Sequence, residues 1–404
     1  MASRNETRVA VFLGGRSPEH DVSVITGLQA LAAIDQQRFQ PFPVYIDPRG
    51  QWFVGEPLAD RRNYLPDARI QGDLTEVTLS LGEPGRGVLL PKRSGLFARR
   101  SQIEFDVALL AFHGLGGEDG QIQGLFETAN VPYTGMRTLA SALLMDKAAT
   151  KRLLRSLDIP LLPDAVVTRG PTGLPPADAL QALMRNRDIG FPCIVKPVHL
   201  GSSIGVGKAD DVEDVRALLP TIFRLDRQAV IEPFVPNLTE YNLAVARIGG
   251  AVRTSAIEKP KRAEELLDFR QKYMSAGEGK AGGSKGDASS SQGMLSLTRE
   301  INPKLPAGLE DDLRRWAAAA FEAVDGSGAP RVDFYCNEAT GEVWLNEVNP
   351  CPGSFGYFLW EAAEPPLGFT ALLSQLIDEA VARHRESQLP DDPVPPEARL
   401  LRRP

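Results

Sequence analysis

Two short runs near the C-terminus, RVDFYC at 331–336 and VWLNEVN at 343–349, constrain this chain more than any other feature. Both alternate polar with apolar residues, and the turn-like NEATGE lies between them, so together they predict an antiparallel β-hairpin. With the turn centred at Thr340, Asp333 lies opposite Glu347 and Arg331 opposite Asn349, all four on one face. Acids opposed across two strands repel unless a cation lies between them. A hard divalent ion bound by carboxylate and amide oxygens resolves the conflict, with Mg²⁺ the natural choice where a phosphate completes the shell and Mn²⁺ able to replace it. The same alternation also suits the polar outer face of an ordinary hairpin.

Upstream, CIVKPVHLGSSIGVGK puts Lys196 at the end of a short strand, followed by small residues that expose successive backbone N–H groups. Such a loop can cradle phosphates while the lysine supplies charge, although a structural turn has the same composition. The Walker A order GxxxxGK[ST] is absent. AVIEPFV then reads as a strand entering a connector whose backbone can meet an adenine edge.

The opening VAVFLGG reads as a buried strand, and SPEHDVSVITGLQALAAI as a helix with Ser17 as N-cap and Pro18 at the first helical position. GGRSPE lacks the GxGxxG spacing of dinucleotide sites. PFPVYI and DVALLAFHG read as further strands, making 1–137 a small Rossmann-like α/β domain. Thr138–Leu157 has helical spacing and opens a central α+β domain, 138–248, followed by a C-terminal α+β domain, 249–388. Within the latter, LEDDLRRWAAAAFEAV reads as a helix and a last helix runs to about His384. A polar insertion, 259–306, reads as a lid or a disordered loop, and the Pro- and Arg-rich tail 389–404 as loose.

A net charge of −7 gives no basic footprint for nucleic acid, and no run of about 18 apolar residues spans a membrane. MASRNETR leads into a strand without the zones of a signal peptide, and the three cysteines have no CxxC spacing, so a reducing cytoplasm is expected. The four histidines are too scattered for a His-based metal cluster.

In series, VAVFLGGRSPEHDVS, FHGLGGEDGQIQGLFETANVPYTG, ASALLMDKAATKRLL, IVKPVHLGSSIGV, IEPFV, RVDF and LNEVNPCPG resemble the ATP-grasp superfamily and, more narrowly, the D-alanine:D-alanine ligases, from Val9 to Phe358. The resemblance implies a three-domain fold in which 1–137 is the substrate domain and ATP is clasped between the central and C-terminal domains. It implies that Lys147 and Lys196 neutralise ATP phosphates under the loop Gly201, Ser202 and Ser203, with Lys272 beside them. Glu232 and Val235 would line the adenine site and Glu240 would meet the ribose. Asp333, Glu347 and Asn349 would hold two Mg²⁺ ions, as the hairpin pattern also suggests. Arg331 and the Gly353 N–H would clamp a tetrahedral oxyanion, and Glu19 would receive the first substrate's ammonium in a trio with Ser202 and Tyr273. His113 is either a packed polar residue beneath the first pocket or a substrate neighbour.

The implied chemistry is ligation of two D-alanine molecules through an acyl phosphate made from ATP, for peptidoglycan synthesis, with a homodimer as the family habit. A carboxylate-amine ligase with another acceptor and a non-catalytic ATP-binding module are the alternatives. One departure bears on the acceptor: where the family carries a hydroxyl residue this chain has Phe358, which leaves either Tyr357 or Ser354 to replace it or a second substrate other than D-alanine.

Overall fold

The computed structural model describes residues 7–65, 73–82, 85–92, 101–171, 173–261, 299–389, 398 and 399. Lys272, Tyr273 and the core of the insertion lie outside the described residues, as does nearly all of the tail.

The first sheet begins with β1 (Thr7–Gly14), whose apolar run Val9–Leu13 is wholly buried because it pairs in parallel on both sides. α1 (His20–Ala33) follows, then β2 (Phe39–Ile46), β3 (Trp52–Val54), β4 (Thr75–Leu79), β5 (Gly87–Pro91), β6 (Ile103–Phe105) and β7 (Val107–Leu110). Their order is β6-β5-β4-β3-β2-β1-β7. The antiparallel strands β3 to β6 were not evident in the sequence; three to five residues each carry too little alternation to read. Gly14 ends β1 at φ 92°, where a Cβ would stand 2.2 Å from the Ile46 carbonyl oxygen, so only glycine turns the chain into α1 there.

α1 starts at His20 rather than beside Ser17. Ser17 instead forms a tight turn: its hydroxyl accepts the Glu19 N–H at 3.0 Å and its carbonyl accepts the His20 N–H at 3.1 Å. The consequence is functional, because Glu19 becomes the N-cap and is held at the mouth of the sheet.

After α2 (Gln121–Thr128), the single helix expected over Thr138–Leu157 is two, α3 (Thr138–Met145) and α4 (Lys147–Leu154). Asp146 breaks it, taking extended dihedrals and accepting the Ala149 N–H at 2.8 Å as a side-chain cap. β8 (Ala165–Thr168), α5 (Ala177–Arg185), β9 (Cys193–Pro197), β10 (Gly207–Ala209), α6 (Val212–Leu225) and β11 (Gln228–Pro233) form a second, antiparallel sheet ordered β10-β9-β11-β8. One face packs α5 and α6 through Val195, Ile231, Leu180 and Leu219. The other face, by strand alternation, carries Lys196, Val230 and Glu232 toward α4.

The third sheet, β14-β13-β12-β15-β16, combines β12 (Leu238–Ile248), β13 (Ala251–Pro260), β14 (Arg299–Ile301), β15 (Arg331–Asn337) and β16 (Val343–Asn349). Its apolar face, including Leu243, Val332, Phe334 and Leu345, packs against α7 (Leu309–Glu322). Both ends of the expected insertion are sheet rather than loop: Lys259 pairs with Glu300 and Pro260 with Arg299. Finally α8 (Tyr357–Glu361) and α9 (Phe369–Glu386) return to the first sheet, where Trp360, Leu372 and Ile377 join Val9, Val11 and Leu109 in one core. No described helix is long and apolar enough to cross a membrane.

Candidate active site

The hairpin forms with the expected register at its functional end: Arg331 pairs with Asn349 and Asp333 with Glu347. Nearer the turn Phe334 pairs with Leu345, so Asn346 is an extra residue bulging from β16. That bulge lets Asn346 accept a hydrogen bond from Lys196 Nζ at 3.1 Å, joining the second sheet to the third. Arg331 grips both oxygens of Asp333 at 2.6 and 2.7 Å, and Asn349 Nδ2 donates to Asp333 at 2.8 Å. Lys147 Nζ lies 3.5 Å from Glu347. The opposed acids are thus each matched by a cation of the protein, Arg331 at Asp333 and Lys147 at Glu347. Asp333, Glu347 and Asn349 nonetheless gather hard oxygen donors on one face, a set suited to Mg²⁺. No described group of three or more His, Cys, Asp or Glu side chains is arranged for a metal, so an ion here would rely on two carboxylates and an amide.

Facing this hairpin, Lys196 donates to Glu232 at 2.7 Å, and Lys151, one helical turn from Lys147, donates to the other oxygen of Glu232. All three side chains are nearly inaccessible. Burial opposes ionisation of Glu232, but the charges and hydrogen bonds of the two lysines outweigh it and hold its pKa near 2. Val235 is buried just beyond β11, and Glu240 pairs with Tyr335 on the same sheet face as Asp333.

Lys147 Nζ also donates to the Leu200 carbonyl at 2.6 Å, anchoring the glycine loop that starts at Gly201. Ser202 and Ser203 take left-handed φ values of 53° and 58°, uncommon for non-glycine residues. The Ser202 hydroxyl donates to Glu19, so two members of the expected trio meet; Tyr273 is outside the described residues. His199 braces the loop's stem. Its ring bonds Asp226 at 2.9 Å and lies 3.4 Å from Asp146, and hydrogen bonds to Asp146 and Asp226 raise its pKa to about 9 despite burial.

His113 is a packed polar residue: Nε2 lies 2.9 Å from the Thr26 hydroxyl, and burial first, with the charge of Arg331, pushes its pKa down to about 4. Thr26 in turn accepts the Ser354 N–H at 3.1 Å. Gly353 opens a 3₁₀ turn, Gly353–Gly356, and the turn before it is pinned by Glu118, which accepts the N–H groups of Cys351 at 2.8 Å and Gly114 at 2.6 Å. Burial, then the charge of Glu19, lifts Glu118 to about 8 against those hydrogen bonds. The Ser354 hydroxyl is engaged by Gln29, Tyr357 stacks on Phe369 with ring centroids 4.7 Å apart, and Arg299 lies over the Phe358 ring at 4.4 Å.

Lys151 and Glu118 escaped sequence reasoning. Lys151 carried a signal, since a lysine four residues after Lys147 shares its helix face; Glu118 sits in the aperiodic GLGGEDG and carried none.

The family model described as D-ala D-ala ligase N-terminus matches residues 8–136, and D-ala D-ala ligase C-terminus matches 153–378. A D-alanine-D-alanine ligase of Bifidobacterium animalis subsp. lactis is 35% identical, covering 93% of this chain and 100% of that protein. One of Heliobacterium modesticaldum is 33% identical over 94% of this chain and 96% of its own. The structure of the D-alanine-D-alanine ligase from Coxiella burnetii superposes with a TM-score of 0.74 at 24% identity, covering 94% of this chain and 95% of that one. The chain therefore belongs to the D-alanine-D-alanine ligase family and has its three-sheet ATP-grasp fold.

Proposed function

We propose that this ligase joins two D-alanine molecules at the expense of ATP. A carboxylate oxygen of the first attacks the γ-phosphorus, giving D-alanyl phosphate and ADP; the amine of the second then attacks the carbonyl carbon, and phosphate leaves with that oxygen. The observation that carries this reading is the Ser202 to Glu19 hydrogen bond. It joins the acid for the first ammonium to the glycine loop over the phosphates, so donor and γ-phosphate sites adjoin.

Lys147 and Lys196 would face the phosphates, with Lys272 nearby, and Glu232, Val235 and Glu240 the nucleoside. Two Mg²⁺ ions held by Asp333, Glu347 and Asn349 would neutralise phosphate charge. Arg331 and the Gly353 N–H would receive the oxyanion as the second amine adds, and Tyr273 would complete the Glu19 and Ser202 trio. His113 supports the turn from beneath rather than touching substrate. The enzyme is proposed to be a cytoplasmic homodimer serving peptidoglycan precursor synthesis.

The test is ADP release from ATP, Mg²⁺ and D-alanine with the product weighed by mass spectrometry. D-alanyl-D-alanine is expected. A second reading, a different acceptor, is favoured by Phe358 in place of a hydroxyl residue; ADP release that requires another amino acid, hydroxy acid or amine would select it.

A further inference from the structure

Glu258 in β13 pairs with Asn242 in β12, Asn242 with Asp333 in β15, and Asp333 with Glu347 in β16. Directly paired residues share a sheet face, so these four form a polar row across the cleft side of the third sheet, with Glu258 two strands, about 10 Å, from Asp333. Asn242 Nδ2 donates to Glu258 at 3.1 Å along that row. At its end stands Arg299, whose Nη1 donates to the other oxygen of Glu258 at 2.9 Å.

Arg299 is an expensive residue to place here. Its side chain is three-quarters buried, and its Nε is fully buried with no hydrogen-bond partner among the described residues. A guanidinium has five N–H donors, and Glu258 engages one of them. The Arg299 Cζ lies over the Phe358 ring, 4.4 Å from the ring centroid. Phe358 belongs to the helix that follows the Gly353 turn, so the guanidinium borders the side of the cleft where the second amine must approach.

A planar cation whose donors are met by Glu258 alone among the described residues, and which lies over a ring of the helix after the Gly353 turn, suits a carboxylate bound through two parallel hydrogen bonds. We infer that Arg299, seated on Phe358, receives the carboxylate of the acceptor amino acid in place of a hydroxyl. This rests on the ligase reading above. It also accounts for Phe358, which supplies a platform for the cation.

The test is a competition in which the enzyme receives ATP, Mg²⁺, D-alanine and D-alaninamide. The amide lacks a carboxylate and acts only as acceptor, so the mass ratio of D-alanyl-D-alanine to D-alanyl-D-alaninamide reports recognition of that group. A folding defect lowers both products together and leaves the ratio unmoved. The wild type is expected to favour the dipeptide strongly; Arg299→Gln should cut that preference about 30- to 100-fold, and Arg299→Lys should restore part of it. A ratio within threefold of wild type in Arg299→Gln would overturn the inference. Failure of the wild type to make any dipeptide would instead overturn the ligase reading on which it stands.

Discussion

Glu232→Gln removes one charge from a buried triad while keeping its shape, and leaves Lys151 and Lys196 facing each other with side chains 2% and 7% exposed. The cost follows from proton affinity. Glu232 is held at about 2 against an ordinary 4.5, which amounts to about 3 kcal/mol at about 1.4 kcal/mol per tenfold change. Removing one partner of a buried ion pair typically costs about 3–5 kcal/mol, which agrees. Lys151, whose pKa burial already lowers, would shed its proton and moderate the loss. Amide hydrogen exchange in β9 and β11, read by mass spectrometry, measures local opening directly and avoids assuming two-state unfolding of a multidomain chain. At pH 7 these amides should exchange about 100-fold faster in the variant. A depressed carboxylate pKa gives stability that is present above about 4.5 and lost as pH falls through about 2, so the difference should shrink on acidification. A difference below threefold at pH 7, or one that grows toward pH 3, would refute the reasoning.

Asp333→Ala should lower turnover at least about 1000-fold, since it takes away a proposed metal-ligand oxygen and the carboxylate that Arg331 grips; activity within tenfold of wild type would contradict the proposed role. Glu19→Gln should raise the KM for the first D-alanine about 10- to 100-fold while changing ATP affinity less than threefold, measured by initial rates and equilibrium binding. The raised pKa of His199 means its contribution to stability is complete below about 6.5 and lost as pH rises through about 9; the difference from His199→Gln in thermal melts should therefore vanish above that range. Phe358→Ser should raise the acceptor KM about three- to tenfold by withdrawing the ring beneath Arg299, and a lowered KM would show that a hydroxyl was the missing element.

What the sequence made legible was governed by local periodicity. β1, β12 and the hairpin β15 and β16 each carry a run or alternation strong enough to read, and the hairpin register followed from counting outward from NEATGE. The bulge at Asn346 was invisible, because an inserted residue in a strand leaves no mark on composition. β13 was hidden for another reason: it runs into the polar insertion, whose composition masked both it and β14. At the site, single charged residues inside motifs were found, whereas partnerships across sheets were not. Nothing local to IEPFV says that Glu232 joins two lysines from different elements, and nothing near REI says that Arg299 will lie on Phe358. Those contacts exist only once β11 packs on α4 and the third sheet turns its polar face toward α8.

The central claim, an acyl phosphate built from the first amino acid's own carboxylate, can be tested with D-alanine labelled with ¹⁸O in both carboxylate oxygens. After turnover with unlabelled ATP and water, the released phosphate is weighed. One labelled oxygen in each phosphate is predicted, because the oxygen that attacks the γ-phosphorus leaves with it when the second amine adds. Dipeptide formed with unlabelled phosphate would contradict the account.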